Sequence, residues 1–315
     1  MKNLKIGTKL LIGFGIGSLL LIICSITGMI ALTGSVGHMS DVQEVDNLRN
    51  DVSSILTYAS SITDAIKTLA VTDDAAERQK VLDGINLDVK RGKITVIIGK
   101  SGGGKSVLMK HLIGLLKPDS GEIWIDGTEI TKLKERELNR VRMKFGMLFQ
   151  EAALFDSMNL FENVAFPLRE HTSLQEKEIK RTVEEKLKAV GLLAFTEKMP
   201  SELSGGMKKR VGLARALALD PDIILFDEPT SALDPVISLT IEDLIKETQT
   251  RFQKTYLVIS HDIAGMFRIA DTVAMLYNGK IVASGTPYEI KRSGQEAVKE
   301  FLRATKIPGF AGGEL

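Results

Sequence analysis

A chain of 315 residues that is 44% hydrophobic and 26% charged has enough apolar material for one large α/β domain or two smaller domains, which excludes a disordered or fibrous protein. Lys and Arg number 41 against 40 Asp and Glu, a net charge of +1, so no global field gathers nucleic acid or anionic lipid. The single cysteine, Cys24, excludes an internal disulfide and sits in an apolar run, where it reads as a packing residue.

From Leu10 to Leu32 no side chain is charged. At about 1.5 Å per residue such a run spans about 35 Å, against roughly 30 Å of bilayer hydrocarbon, and predicts an uncleaved transmembrane helix. Lys2, Lys5 and Lys9 precede it. Only Arg49 follows within about 20 residues, which by the positive-inside bias places the N-terminus in the cytoplasm. Val45, Leu48, Val52, Ile55, Ala59, Ile62, Ile66 and Leu69 then recur at spacings of three and four, one stripe of an amphipathic helix that needs a helical partner. The opening Met1-Lys2-Asn3-Leu4-Lys5-Ile6-Gly7-Thr8-Lys9-Leu10, its apolar helix and its amphipathic helix resemble the N-terminus of methyl-accepting chemotaxis receptors. The domain reading is therefore 1–40 for the basic segment and transmembrane helix, 41–80 for the amphipathic helix and junction, and 81–315 for a large C-terminal domain.

The texture changes at Val81. Lys93-Ile94-Thr95-Val96-Ile97-Ile98 is a β-branched run leading into Gly99-Lys100-Ser101-Gly102-Gly103-Gly104-Lys105-Ser106, and a helical periodicity continues from Val107. Strand, glycine loop and helix are what a phosphate cradle requires: backbone N–H groups converge on phosphate oxygens, Lys105 reaches the terminal phosphates and Ser106 ligates Mg²⁺. Gly99, Ser101, Gly102, Gly103, Gly104, Lys105 and Ser106 are the candidate ATP-binding residues of this loop. Ile223-Ile224-Leu225-Phe226-Asp227-Glu228 reads as a buried parallel strand ending in two carboxylates, Asp227 for Mg²⁺ and Glu228 to orient and deprotonate the attacking water. Leu203-Ser204-Gly205-Gly206-Met207, followed by a helix-forming run, supplies a second phosphate-binding surface from Ser204, Gly205 and Gly206.

From Val81 on, these motifs resemble the ATP-binding subunit of ABC transporters, with Met207 where that family has glutamine. The resemblance implies a P-loop α/β fold with an inserted helical subdomain, here about 149–218, and a small antiparallel β-subdomain. It also implies that Gln150 touches Mg²⁺ and water, that Ser231-Ala232-Leu233-Asp234 couples two sites across a homodimer, and that His261 is the switch histidine near the γ-phosphate. ATP, Mg²⁺, a second ATPase subunit, ABC permease subunits and the inner (cytoplasmic) membrane are the implied ligands, partners and location, with the ATPase on the cytoplasmic face and no nucleic acid. His38, His111 and His171 read as structural. Met147 to Met158, Pro167-Leu168-Arg169-Glu170-His171 and Met207 further resemble the ATPase of the maintenance-of-lipid-asymmetry transporters, which implies phospholipid transport.

Two features depart from the family. The first strand and the aromatic that stacks on adenine are missing, with Ala70-Val71-Thr72-Asp73 in that neighbourhood; loss of a stack worth about 1 to 3 kcal/mol weakens ATP binding roughly 5- to 150-fold. The rest of the small sheet is expected around Ile85 to Val89 and Gly121 to Gly127, with an exposed edge. A single crossing with the N-terminus inside also puts the ATPase on the side where ATP is scarce. The alternative reading is a membrane-anchored, receptor-like fusion fragment with an inactive ATPase.

Overall fold

In the computed structural model, residues 82–304 are described. They belong to one compact unit, Lys80–Leu315, separate from Met1–Gln79. The transmembrane and amphipathic helices expected before residue 80, and the neighbourhood of the missing adenine aromatic, lie outside the described residues. Among the described residues no helix is long and apolar enough to cross a membrane.

Strand β1 (Ile94–Ile98) is buried along its whole length, as a β-branched run needs to be when helices cover both faces of a parallel sheet. Around it lies a six-stranded sheet in the order β4 (Phe145–Leu148), β5 (Ile223–Asp227), β6 (Thr255–Ile259), β1, β7 (Thr272–Tyr277), β8 (Lys280–Gly285). The pairs from β4 to β7 are parallel and β7 with β8 is antiparallel. Ile97 lies opposite Ile259, which lies opposite Asp227, while Leu148 lies opposite Phe226. The parallel strands β1, β4, β5 and β6 thus end along one edge, the usual position of a site in such sheets. The loops that leave this edge carry Gly99, Gln150, Glu228 and His261.

The glycine loop runs from β1 into α1 (Lys105–Leu112). Helix α2 (Glu135–Arg142) precedes β4. Between β4 and β5 stand α3 (Leu160–His171), α4 (Glu176–Ala189) and α5 (Gly205–Ala216), the expected helical insertion. Their apolar faces, with Leu160, Val164, Ile179, Val183, Leu187, Val211 and Leu213 buried, are continuous with the core under β1, β5 and β6. Asn163 is fully buried in α3 and ties down the loop before it: its Nδ2 donates to Phe155 O, Met158 O and Asn159 O, and its Oδ1 accepts from Phe155 N. Helix α6 (Pro235–Phe252) follows β5, α7 (Ile263–Ile269) follows β6, and α8 (Pro287–Lys291) and α9 (Glu296–Ala304) close the described chain.

The small antiparallel sheet differs from the expectation. It is a two-residue hairpin, β2 (Trp124–Ile125) with β3 (Thr128–Glu129), turning at Asp126 and Gly127, both at positive φ. An Asp-Gly pair suits such a turn. The segment Ile85–Val89 is not a strand. Its Ile85, Leu87 and Val89 are half-buried against the core cluster that includes Ile97, Leu108 and Leu276, alternating with exposed Asn86, Asp88 and Lys90. Period-two alternation reports burial of one face; a ladder also needs a partner strand, and none among the described residues pairs with it.

Candidate active site

The loop after β1 is shaped by two glycines. A Cβ at Gly99 would overlap Leu276 O, so only glycine lets the loop leave the sheet this close to β7. Gly104 caps α1 with φ 94°, and no side chain caps that helix. The first-turn N–H groups of α1 therefore point into the loop with the positive end of the helix dipole behind them.

Lys105 is only 7% exposed, and its Nζ donates to Gly99 O at 2.9 Å and Lys100 O at 3.1 Å, which hold the ammonium inside the cradle. Burial pushes its pKa below the ordinary lysine value, and the nearby charges of Glu228 and Asp227 oppose that fall. Ser106, one residue on, is exposed on the first turn of α1.

Across the strand ends, Asp227 closes β5, and its carboxyl is pushed above the ordinary range by burial and by Glu228, against Lys105 and Lys209. The same charges thus act on both sides, and this places Lys105, Asp227 and Glu228 in one electrostatic neighbourhood. Glu228 has φ 51°, a left-handed conformation uncommon for a residue with a side chain. Its N–H donates to Ile259 O at 2.9 Å, which ties the turn to β6, and its carboxylate accepts from His261 Nδ1. The Glu228 side chain is 16% exposed and the His261 ring 63%, so a shielded carboxylate is held by an open imidazole. Gln150 is exposed after β4. A shielded carboxylate beside a buried lysine and a helix N-terminus can take a proton from a water attacking an anion bound in the loop.

Ser204 caps α5, its Oγ accepting from Met207 N at 3.3 Å. Gly205 adjoins Leu233, just before α6, and Gly206 adjoins Ile237, on α6. Asp234 caps α6 and its Oδ1 accepts from Val236 N and Ile237 N, both at 3.0 Å. Of the histidines read as structural, His111 hydrogen-bonds Leu116 O at 3.0 Å, and His38 lies outside the described residues.

Sequence reasoning missed Lys209. It is 5% exposed, and its Nζ reaches Gln150 O, Glu228 O at 3.2 Å and Ser231 Oγ at 3.5 Å. Burial pushes its pKa down, and Glu151, Asp227 and Glu228 oppose the shift. A signal existed: Gly206, Lys209, Leu213 and Ala216 follow helical spacing on the buried face of α5, where a lysine needs partners.

The sequence and structure have known counterparts. Residues 82–231 match the family described as ABC transporter. Residues 3–93 match the family described as four helix bundle sensory module for signal transduction, in agreement with the receptor-like start. The chain is 48% identical over 223 residues to the intermembrane phospholipid transport system ATP-binding protein MlaF of Haemophilus influenzae, covering 71% of this chain and 84% of that protein. It is 45% identical over 228 residues to the probable ribonucleotide transport ATP-binding protein mkl of Mycobacterium leprae, covering 72% of this chain and 66% of that one, just under two thirds of its length. Among solved structures, the dimeric ATP-binding cassette MJ0796 in a post-hydrolysis state bound to ADP and Pi superposes with a TM-score of 0.60 at 34% identity, over 66% of this chain and 90% of that chain.

Proposed function

Because the chain belongs to the ABC transporter ATP-binding family, we propose that it binds and hydrolyses ATP as one of two copies that drive a pair of permease subunits. The observation that carries this reading is the convergence of buried Lys105, the α1 N-terminus and the Glu228–His261 pair at one edge of the sheet. The N–H groups of the loop and Lys105 take the β- and γ-phosphates. Glu228 receives the proton of the attacking water, and His261 keeps the carboxylate aimed. Ser106, Gln150 and Asp227 fit Mg²⁺, since hydroxyl, amide and carboxylate oxygens are its ligands alongside phosphate. A cation there also offsets the burial and like charge that raise the Asp227 pKa. When bound, Mg²⁺ neutralises charge on the phosphates.

The partner copy supplies the second surface: Ser204, Gly205 and Gly206 at the N-terminus of α5 close over ATP held by Lys105 of the first. The dimeric cassette with similar fold supports that arrangement. Phospholipid is the cargo we favour, on the 48% identity with the intermembrane phospholipid transport ATPase, with the permease in the inner membrane and the ATPase on its cytoplasmic face. The test is MgATP binding and turnover by the purified full chain beside Lys105→Ala. We expect saturable turnover in the first and loss of nucleotide binding in the second; equal behaviour of the two would refute the site.

A second reading, a receptor-like fusion with an inert ATPase, draws on the match of residues 3–93 to the sensory module, which overlaps the transporter match at 82–93. Absence of nucleotide binding by the full chain would favour it.

A further inference from the structure

Lys209 touches three segments that the sequence keeps far apart: the loop after β4 through Gln150 O, the turn after β5 through Glu228 O, and the start of the loop to α6 through Ser231 Oγ. A lysine ammonium has three donors and no acceptor, so these contacts use its full capacity. Two of the three acceptors are backbone carbonyls of residues to which the proposed function gives a part in hydrolysis, Gln150 and Glu228. The same helix grips the first loop a second time. Arg215 Nη1 donates to Ala153 O and its Nη2 to Ala152 O, both at 2.8 Å, where Ala152 and Ala153 stand at φ 59° and 49°. Helix α5 therefore carries the loop of Gln150 at two points six residues apart, and through Lys209 it also reaches the turn of Glu228.

We propose that Lys209 is a positioning residue for ATP hydrolysis: it sets the Gln150 and Glu228 backbones relative to each other and ties both to the helix that begins at Ser204. Displacement of the α5 N-terminus is then felt at Glu228 through a single side chain, without a change in the phosphate loop. The proposal rests on the ATPase reading above. It separates Lys209 from Lys105, whose donors go to the loop that binds phosphate.

The experiment compares the full-length chain with Lys209→Met and Lys209→Gln, measuring kcat and KM for MgATP and the Kd of a fluorescent ATP analogue. Misplacement of reacting groups by about 1 Å costs up to about 10²-fold, so the methionine variant is expected to lose roughly 10- to 100-fold in kcat with Kd within about twofold. Glutamine keeps two N–H donors and recovers part of that loss. Adding Gln150→Ala to Lys209→Met costs less than adding it to the wild type, because the glutamine is already misplaced. Unchanged kcat in Lys209→Met overturns the proposal, as does a loss of affinity that matches the loss of kcat in both variants. If Lys209→Met fails to fold and so loses all binding, Lys209→Gln decides by the same criterion. A wild type that binds the analogue yet hydrolyses no ATP overturns the ATPase reading itself, and the positioning role with it.

Discussion

Lys105 and Lys209 are both buried, at 7% and 5% exposure, both stand in the first turns of a helix, and both are pushed down in pKa by burial and held back by Asp227 and Glu228. They differ in what they hold. Lys105 folds onto two carbonyls of its own loop, five and six residues away, whereas Lys209 spans to carbonyls 59 and 19 residues away. A local set of partners suits the proposal above, in which the first ammonium turns toward an incoming phosphate. A distributed set makes the second a junction, which costs stability to disturb and has no ligand of its own. The helix ends differ in the same sense: α1 has no side-chain cap, α5 is capped by Ser204 with one long bond, and α6 by Asp234 with two.

The largest effect is expected at Glu228, whose charge acts on both lysines. Glu228→Gln keeps the shape of the side chain and removes the proton acceptor, and kcat is expected to fall 10²- to 10⁴-fold, the usual contribution of a positioned general base. Binding of MgATP should persist, because the cradle is untouched, and equilibrium binding beside single-turnover hydrolysis reads both. Retained kcat would move the base elsewhere and leave Lys209 holding a turn without chemical duty.

How much of this was readable in advance follows the same divide between local and distributed contacts. The strand, glycine loop and helix were legible because their requirement is local: glycines that allow close approach to Leu276 O and a left-handed Gly104, then a helix. Asp227 and Glu228 were legible because a hydrophobic run ending in carboxylates announces a buried strand reaching the sheet edge. The helical insertion was read from the family resemblance, over about 149–218, and the helices there stand between residues 160 and 216. Lys209 was not singled out, because its partners come from three other segments and no short spacing encodes them. The error at Ile85–Val89 has a related origin. Those residues alternate as a strand does and lie against the core, yet ladder formation depends on a neighbour that local pattern leaves unspecified. This segment packs with the ATPase core even though the sensory-module match extends over it to residue 93.

The next effect in size belongs to α5. Ser204→Ala removes a hydroxyl proposed to meet phosphate held by the other copy. A hydrogen bond to a charged group is worth about 1.5–3 kcal/mol, so turnover is expected to drop roughly ten- to hundredfold while nucleotide binding by the isolated monomer holds. The same change also removes the cap on Met207 N, which costs about 1 kcal/mol and shows separately as a lower Tm. Equal losses in monomer binding and turnover would refute a role across the dimer.

The smallest effect tests the helix whose N-terminus is already satisfied. Asp234 was expected to serve the coupling of the two sites, and its Oδ1 accepts from both Val236 N and Ile237 N. Asparagine caps a helix about as well as aspartate, whereas alanine forfeits about 1 kcal/mol. Asp234→Asn should therefore keep both Tm and turnover close to the parent, and Asp234→Ala should lower Tm with a turnover loss no larger than about twofold. Thermal melts and steady-state rates on the same preparations decide between capping and coupling. If the asparagine variant keeps its Tm but loses turnover tenfold, the charge itself acts on the neighbouring copy. The three helix ends would then form a series in which even the capped one carries function.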